Sequence, residues 1–459
     1  MLFSSLEFLY WFLPIFLIAY LFCPAKGRNL LLLGASLLFY AWGEVALLWV
    51  MLLVIAIDFL AALLMGRVAS PRARKAALFG AVAINILILA YFKYTDLLLG
   101  TLGLSPLGII LPLGISFYIF QAMSYVIDVY KGESPLRSAV DFGAYVTMFP
   151  QLVAGPIVRY GQVRDELEER SVSLGGIARG LGIFTLGLVK KVLLANSAGA
   201  WREAYLSAGR EYSSVAGEWW SLAVYAFQIY YDFGGYSDMA VGLGRMLGFS
   251  FPRNFNYPYI AQSVTDFWRR WHITLSSWFR EYVYIPLGGS RCSRGRMYFN
   301  LLAVWLLTGI WHGAEWSFLF WGLYFFLLLA VEKAFLLRRL TRLPRFVRHV
   351  YALACILLGW FVFTLGDGVE LWRLGALFGV GGVSFIEGFS LYEICRHGVL
   401  FAVMAVCATP LPISLWRRLE VKLPKLSAVL GALAPPLALA VCTAALLADS
   451  YNPFLYFRF

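Results

Sequence analysis

The stretch VALLWVMLLVIAIDFLAALLM, residues 45–65, decides the class of fold. It is apolar throughout except for Asp58, and it reaches the roughly 20 residues that a helix needs to cross a bilayer core. Similar runs recur along the 459 residues, of which 61% are hydrophobic and only 14% are charged. Soluble domains carry about 25% charged residues. The sequence therefore predicts a polytopic, all-α membrane protein.

Short connectors separate the apolar runs. Several runs are too short, or too rich in glycine and proline, to cross the bilayer fully, notably residues 138–156 and the region around residue 312. Irregular backbone at membrane depth is tolerated only where protein or a water-filled cavity covers it. We therefore expect about 11 transmembrane helices plus re-entrant or interfacial helices around a functional interior. The candidate spans are residues 6–23, 29–43, 45–65, 76–98, 107–130, 138–156, 176–196, 215–247, 300–312, 316–335, 350–366, 397–416 and 427–448.

The positive charges predict the orientation. Lysine and arginine cluster in the connectors at residues 26–28, 67–75, 338–348 and 417–425. Basic connectors lie in the cytoplasm, so both termini are expected outside it. This pattern also accounts for the net charge of +12 without nucleic-acid binding, since no recognition motif is present. We expect the whole chain, residues 1–459, to form one membrane domain.

Residues 252–296, PRNFNYPYIAQSVTDFWRRWHITLSSWFREYVYIPLGGSRCSRGR, depart from this composition. Tryptophan and tyrosine alternate with arginine, so the stretch cannot span the bilayer. We expect residues 252–299 to form an interfacial segment on the cytosolic side, where aromatic rings lie at headgroup depth and arginine reaches water. A second interpretation is that arginines such as Arg269 and Arg270 bind an anionic ligand, for example the phosphates of an acyl donor. Composition does not separate the two.

His312 lies in a second unusual stretch, NLLAVWLLTGIWHGAEWSFLFWGLYFFLLLAVEK, residues 300–333. An ionisable residue inside an apolar run is a functional candidate. Burial disfavours the imidazolium, so a neutral His312 is expected to be available as a proton acceptor. A core histidine bonded to a carbonyl across helices is an equally good interpretation. Gly309 and Gly313 favour a site modestly, because they let another backbone or a ligand approach closely.

Other polar residues carry weaker signals. Asp232 and Asp238, in IYYDFGGYSDMAVGLGRMLGF, residues 229–249, could line a cavity or cap a broken helix, and a structural role is favoured. The six cysteines are scattered without a C-x-x-C pair, so no metal site is predicted. Hydrolytic, ATP-driven and redox motifs are not found in the sequence.

Several segments together resemble a known family. They are FPQLVAGPIVR (149–159), YYDFGGYSDMAVGLGRMLGF (230–249), NFNYPYIAQSVTDFWRRWHITLSSWFREYVYIPLGG (254–289) and GIWHGAEWSFLFWG (309–322). The sequence resembles the membrane-bound O-acyltransferases, and within them the bacterial alginate O-acetylation membrane proteins. The resemblance runs nearly end to end. It implies a ring of helices around a thin centre, where a cytosolic funnel and an extracytoplasmic opening meet in a tunnel.

The resemblance also implies roles for particular residues. His312 corresponds to the catalytic histidine in the tunnel, and His272 to a second, supporting one. Glu315 and Gln151 lie where relatives differ, so neither receives a role. The further candidates for lining the tunnel or contacting substrate are Trp311, Trp271, Asn254, Asp232, Asp238, Arg269 and Arg270.

The expected reaction transfers an acetyl group in the bacterial cytoplasmic membrane. The resemblance implies a cytoplasmic thioester donor, with acetyl-CoA favoured and an acyl carrier protein as the alternative, and no bound cofactor or metal. The acceptor is the hydroxyl of an extracytoplasmic polysaccharide or a relay protein, and an extracytoplasmic acyltransferase is an expected partner. Peptidoglycan or teichoic-acid-type acylation would use the same chemistry. A transporter of acyl groups or glycan, which also uses broken helices, is the alternative from another class.

Overall fold

A computed structural model describes residues 2–448 and 451–455. Within these residues the regular secondary structure is helical and no strand occurs, which confirms the all-α fold. The chain forms two compact units, here called the first unit (residues 1–184 and 236–253) and the second unit (residues 185–235 and 254–459). Each is described by itself below.

The first unit contains the amino-terminal helices. A π-helical turn, Phe8–Phe12, precedes them. Pro71 begins the fourth helix, where its missing N–H has no intrahelical partner to lose. Its helices are α1 Leu13–Phe22, α2 Arg28–Gly43, α3 Leu48–Arg67, α4 Pro71–Thr101, α5 Ile115–Lys131, α6 Ala139–Thr147, α7 Phe149–Leu152, α8 Tyr160–Glu168 and most of α9 Leu174–Val189.

The second unit holds the remaining helices. A long helix, α11, belongs to it as far as Gly235 and continues into the first unit. Further π-helical segments cover Lys190–Ala195, Arg280–Tyr284 and Glu332–Leu336. The helices are α10 Asn196–Ser207, α11 Val215–Met246, α12 Val264–Trp268, α13 Ile273–Phe279, α14 Arg294–His312, α15 Trp316–Val331, α16 Leu337–Leu340, α17 Arg345–Thr364, α18 Trp372–Ala376, α19 Gly388–Cys407, α20 Leu411–Lys422 and α21 Pro424–Ala448.

Several helices are suited to crossing a membrane, which supports a multi-pass membrane protein. Most side chains in these helices point out of the protein, as expected of helices that face lipid. By contrast α11, at 32 residues, buries most of its side chains and is not among them. In the described part of the chain, six segments are long and apolar enough: Leu48–Arg67, Pro71–Thr101, Trp316–Leu340, Arg345–Thr364, Gly388–Cys407 and Pro424–Ala448.

Two predicted spans have the wrong bounds: residues 107–114 of the span 107–130 precede α5, and the span 397–416 covers parts of two helices. Residues 397–416 do not form a continuous helix, because α19 ends at Cys407 and α20 begins at Leu411. Pro410 and Pro412 explain the break, since proline lacks the N–H that a helix interior uses but is tolerated in a first turn. Helix α19 begins earlier than predicted, at Gly388, where the Glu387 side chain accepts the N–H groups of Phe389 and Ser390.

The segment 252–299 is built from short pieces, as its composition predicts. A 3₁₀ turn at Pro258–Ile260 is followed by α12, α13 and the π-helical turn Arg280–Tyr284, none of them long enough to span a bilayer. The chain then enters α14, which begins at Arg294 and ends at His312. His272, just before α13, and His312, at the end of α14, both lie in the second unit.

Candidate active site

His312 lies at the carboxyl end of α14, where Gly313 turns the backbone into an extended conformation. Its side chain is only 3% exposed. Three aromatic rings meet it edge to face: Trp311 at 5.0 Å, Trp321 at 5.0 Å and Phe363 at 5.5 Å between ring centroids. The imidazole thus lies in a buried, aromatic environment.

Two glycines let α14 and α15 cross closely beside His312. A Cβ atom at Gly309 would lie 2.4 Å from the carbonyl oxygen of Phe318, and one at Gly322 would lie 2.4 Å from that of Trp305. A Cβ at Gly313 would collide with the Phe318 ring at 2.1 Å. The close approach predicted for Gly309 and Gly313 is therefore made by protein atoms of α15.

His272 precedes α13 in a left-handed backbone conformation, with φ 45° and ψ 53°. This conformation costs a non-glycine residue on the order of 1–3 kcal/mol and persists only where the surroundings impose it. Asn254 provides that support: its backbone carbonyl accepts the Ile273 N–H at 2.9 Å, and its side-chain oxygen accepts the Thr274 hydroxyl at 2.9 Å. The side chain of His272 is 1% exposed.

The same Asn254 oxygen lies 3.2 Å from Nδ1 of His272. Because that oxygen already accepts from Thr274, it faces Nδ1 as an acceptor, so Nδ1 carries the proton and Nε2 the lone pair. Burial lowers the pKa of His272 from 6.5 to about 3. His272 is therefore neutral at physiological pH and presents a hydrogen-bond acceptor.

The two histidines are neighbours. Their ring centroids lie 6.5 Å apart, and the His272 ring lies 5.9 Å from that of Trp311. The structure thus brings together four of the residues singled out from sequence, with Asn254 behind His272 and Trp311 beside His312.

A cavity of about 210 Å³ reaches His272. Arg269 contributes an exposed side chain to its wall, and guanidinium groups suit phosphates and carboxylates. The rest of the wall combines aromatic rings with hydroxyl groups, from Trp268, Trp305, Thr265 and Thr308 among others. A larger groove, of about 1090 Å³, lies in the first unit between α1 and α2, but its lining is almost wholly apolar and includes neither histidine.

Two of the residues predicted to line the tunnel or contact substrate, Trp271 and Arg270, interact with other side chains of the protein. Trp271 is 1% exposed and packs against Phe255 and Trp360, with ring centroids 4.9 and 4.8 Å away. Arg270 forms an ion pair with Asp266 at 2.8 Å. Both therefore shape the chain around His272, and Arg269 is the arginine of this pair that lines the cavity.

Asp232 and Asp238 lie on α11, in different units. Asp232 is 1% exposed and pairs with Lys191 at 2.7 Å, while its second oxygen accepts the Leu455 N–H at 2.8 Å. Lys191 also donates to the carbonyl of Pro453. The Asp232 carboxylate thus anchors the carboxyl-terminal segment, in keeping with the structural role that the sequence favoured. Asp238 is half-buried in the first unit.

Glu332, a buried acid that contacts the cavity wall, was not singled out from the sequence. It lies at the end of the apolar run 300–333 and is 1% exposed. Its carboxylate accepts hydrogen bonds from Val264 and Thr265 of α12, which carries part of the cavity wall. The signal that could have found it is the one applied to His312, an ionisable residue within an apolar run.

Sequence comparison relates the chain to one protein family. Residues 37–369 match the membrane-bound O-acyltransferase family, MBOAT, over a range that contains both histidines. The chain is 40% identical over 395 residues to the probable alginate O-acetylase AlgI of Azotobacter vinelandii, covering 83% of this chain and 79% of that protein. It is 39% identical over 394 residues to the probable AlgI of Pseudomonas aeruginosa, covering 83% and 75%.

A peptidoglycan O-acetyltransferase of Helicobacter pylori is 34% identical over 430 residues, covering 84% of this chain and 81% of that protein. The similarity to these transferases thus extends well beyond the two histidine segments. The chain belongs to the membrane-bound O-acyltransferase family and is an O-acyltransferase.

Proposed function

We propose that this protein transfers an acetyl group from a cytoplasmic thioester to an extracytoplasmic hydroxyl group, either of a relay protein or of an alginate-like polysaccharide, which is the final acceptor. The observation that carries the proposal is the placement of two buried imidazoles, His272 and His312, with ring centroids 6.5 Å apart. The similarity to alginate O-acetylases over 83% of the chain supports the choice of acetyl group and acceptor.

In the proposed reaction, His312 accepts the proton of the acceptor hydroxyl as its oxygen attacks the thioester carbonyl carbon. General base catalysis of this kind contributes about a hundred- to ten-thousandfold in rate. The new C–O bond gives a tetrahedral intermediate, which collapses as the C–S bond breaks. The thiolate leaves and takes up the proton from the imidazolium. His272 supports this reaction as a hydrogen-bond acceptor through Nε2, since Nδ1 faces Asn254.

The cavity beside His272 is the proposed site of the thioester. Arg269 would meet anionic groups of the donor, while Trp268 and Trp305 would enclose its short acyl group. We assign acetyl-CoA as the donor. An acyl carrier protein would bring the same thioester and the same phosphopantetheine phosphate, so the chemistry of the cavity suits both.

We also propose the arrangement in the membrane that this reaction needs. About 11 helices, including re-entrant ones, would surround a tunnel that admits donor from the cytoplasm and acceptor from outside. The basic connectors would lie in the cytoplasm of the bacterial inner membrane and both termini outside it. A separate extracytoplasmic acyltransferase or relay protein would complete the transfer to the polymer.

Replacing the proposed base tests the function. The variant His312→Ala, expressed at wild-type membrane abundance, is expected to abolish polymer O-acetylation and to reduce thiol release from acetyl-CoA by purified protein by at least about a hundredfold. His349→Ala is the matched control, because His349 lies outside the site and bonds the Ala261 carbonyl. Retained acetylation in His312→Ala at normal abundance would overturn the proposal.

Two further measurements separate the alternatives. In liposomes, a transferase consumes the thioester and liberates thiol, whereas a transporter moves its substrate intact. Acetyl content measured separately on exopolysaccharide and on peptidoglycan identifies the acceptor. Peptidoglycan is the second candidate because a peptidoglycan O-acetyltransferase is 34% identical over 84% of this chain.

A further inference from the structure

Glu332 is a buried carboxylate outside the reacting groups. It follows α15 directly and is 1% exposed. A carboxylate removed from water is costly unless hydrogen bonds replace its hydration. The buried carboxylate of Glu332 therefore needs hydrogen-bond donors from the protein.

Four donors meet this carboxylate. One oxygen accepts the Val264 N–H at 2.7 Å and the Tyr351 hydroxyl at 3.1 Å, and the other accepts the Thr265 N–H at 2.8 Å and the Thr265 hydroxyl at 2.6 Å. The three contacts from Val264 and Thr265, at 2.6–2.8 Å, are the shorter ones. Three of the four hydrogen bonds to this carboxylate therefore come from α12.

The two N–H groups are the first two of α12, which have no carbonyl partner within their own helix. Ser263 caps the helix from the chain itself, but its side chain accepts only the Asp266 N–H, at 2.9 Å. Glu332 satisfies the remaining pair from the far end of α15. The start of α12 is therefore fixed by a side chain from another helix.

We propose that Glu332 is a positioning residue for the donor cavity. Helix α12 contributes Thr265 and Trp268 to the cavity wall, and its C-cap residue, Arg269, also lines the cavity. His272 has a separate support in Asn254. Displacing α12 therefore changes the cavity wall while His272 stays held, so thioester binding should suffer more than the chemical step. The kinetic part of this inference rests on the proposed function.

The variant Glu332→Gln tests the proposal with little change in size. Glutamine has one carbonyl oxygen, and its NH₂ group would face an N–H of Val264 or Thr265, donor against donor. We expect the KM for acetyl-CoA to rise about tenfold with kcat within about threefold, because one lost hydrogen bond to a charged group corresponds to roughly that ratio. Tyr351→Phe, which leaves both N–H contacts in place, should give a smaller rise.

A second readout does not depend on catalysis. Thr308 lines the cavity and is 6% exposed, so a Thr308→Cys variant reports on the cavity wall through its rate of labelling by a small thiol reagent. Labelling of the native cysteines is measured in the parent protein, which lacks this substitution, and subtracted. Glu332→Gln should raise the labelling rate about tenfold, the ratio for a free-energy change of about 1.4 kcal/mol.

Glu218→Gln is the matched control. Glu218 is 5% exposed in the same unit, where its carboxylate pairs with Arg373 at 2.7 Å and accepts the Ser213 hydroxyl at 2.8 Å. It should lower thermal stability without changing KM or Thr308→Cys labelling. If Glu332→Gln behaves like this control, the positioning role is wrong. Altered labelling with an unchanged KM would support the positioning role and overturn the proposed donor site instead.

Discussion

The side-chain oxygen of Asn254 lies 3.2 Å from Nδ1 of His272, which is 18 residues further along the chain. This contact sets which ring nitrogen carries the proton, and the neighbouring contacts to Thr274 hold the backbone in its left-handed conformation. Asn254 was selected from sequence as a tunnel or substrate residue. Its contacts with His272 and Thr274 give it a supporting role beside the histidine.

Asn254→Leu should therefore impair the reaction without removing either histidine. The variant loses the acceptor for His272 and Thr274, and a misplacement of about 1 Å can cost about a hundredfold in rate. Asn254→Asp keeps an acceptor oxygen and should retain more activity. The measurement is kcat for thiol release from acetyl-CoA, normalised to folded protein. Equal activity of Asn254→Leu and the wild type would show that this contact is dispensable.

The buried His272 also predicts a pH dependence of stability. Its pKa falls from 6.5 to about 3 on folding, so between these pH values the unfolded chain binds a proton that the folded chain does not. Stability should therefore fall as the pH drops below 6.5, by at most about 1.4 kcal/mol per pH unit from this group, and be unaffected above it.

Thermal aggregation midpoints in detergent at pH 7.5 and pH 5 measure this effect. His272→Asn is the informative variant, because asparagine tolerates the left-handed backbone and does not titrate. It should show a smaller loss between the two pH values than the wild type. An identical loss in both proteins would mean that other groups account for the acid sensitivity.

The helix crossing beside His312 predicts that Gly322→Ala is poorly tolerated. The added Cβ would lie 2.4 Å from the Trp305 carbonyl oxygen, and overpacking of this kind costs about 1–3 kcal/mol. Thermal stability and acetyl transfer should both fall, since α14 ends at His312. Gly295→Ala is the control on α14, because a Cβ there meets nothing within 4 Å. Similar stability of the two variants would contradict the close crossing.

The Lys191–Asp232 pair predicts a strong single-substitution effect. Both side chains are 2% exposed, so Lys191→Met leaves an unpaired buried carboxylate and should cost about 3–5 kcal/mol of stability. Adding Asp232→Asn removes the charge while keeping an acceptor for the Leu455 N–H, and should restore part of the loss. Detergent thermal stability of the two single variants and the double variant measures this coupling. Additive effects would show that the pair does not interact.

The sequence by itself determined the all-α membrane fold and the candidate His312, because apolar runs of bilayer length and an isolated ionisable residue within one of them are local signals. His272 became a candidate only through the resemblance of its segment to a known family. The bounds of α19 and α20 were also within reach of the sequence, because Glu387, which caps the start of α19, and Pro410 and Pro412, which mark the start of α20, are local signals that the hydropathy pattern did not use.

Only the tertiary structure decided what each polar residue meets. It pairs Asp232 with Lys191, places the Asn254 side chain beside His272 and bonds the Glu332 carboxylate to the start of α12. These contacts join residues far apart in the chain, and a buried polar group is defined by the partner that replaces its water, which no local pattern of residues reveals.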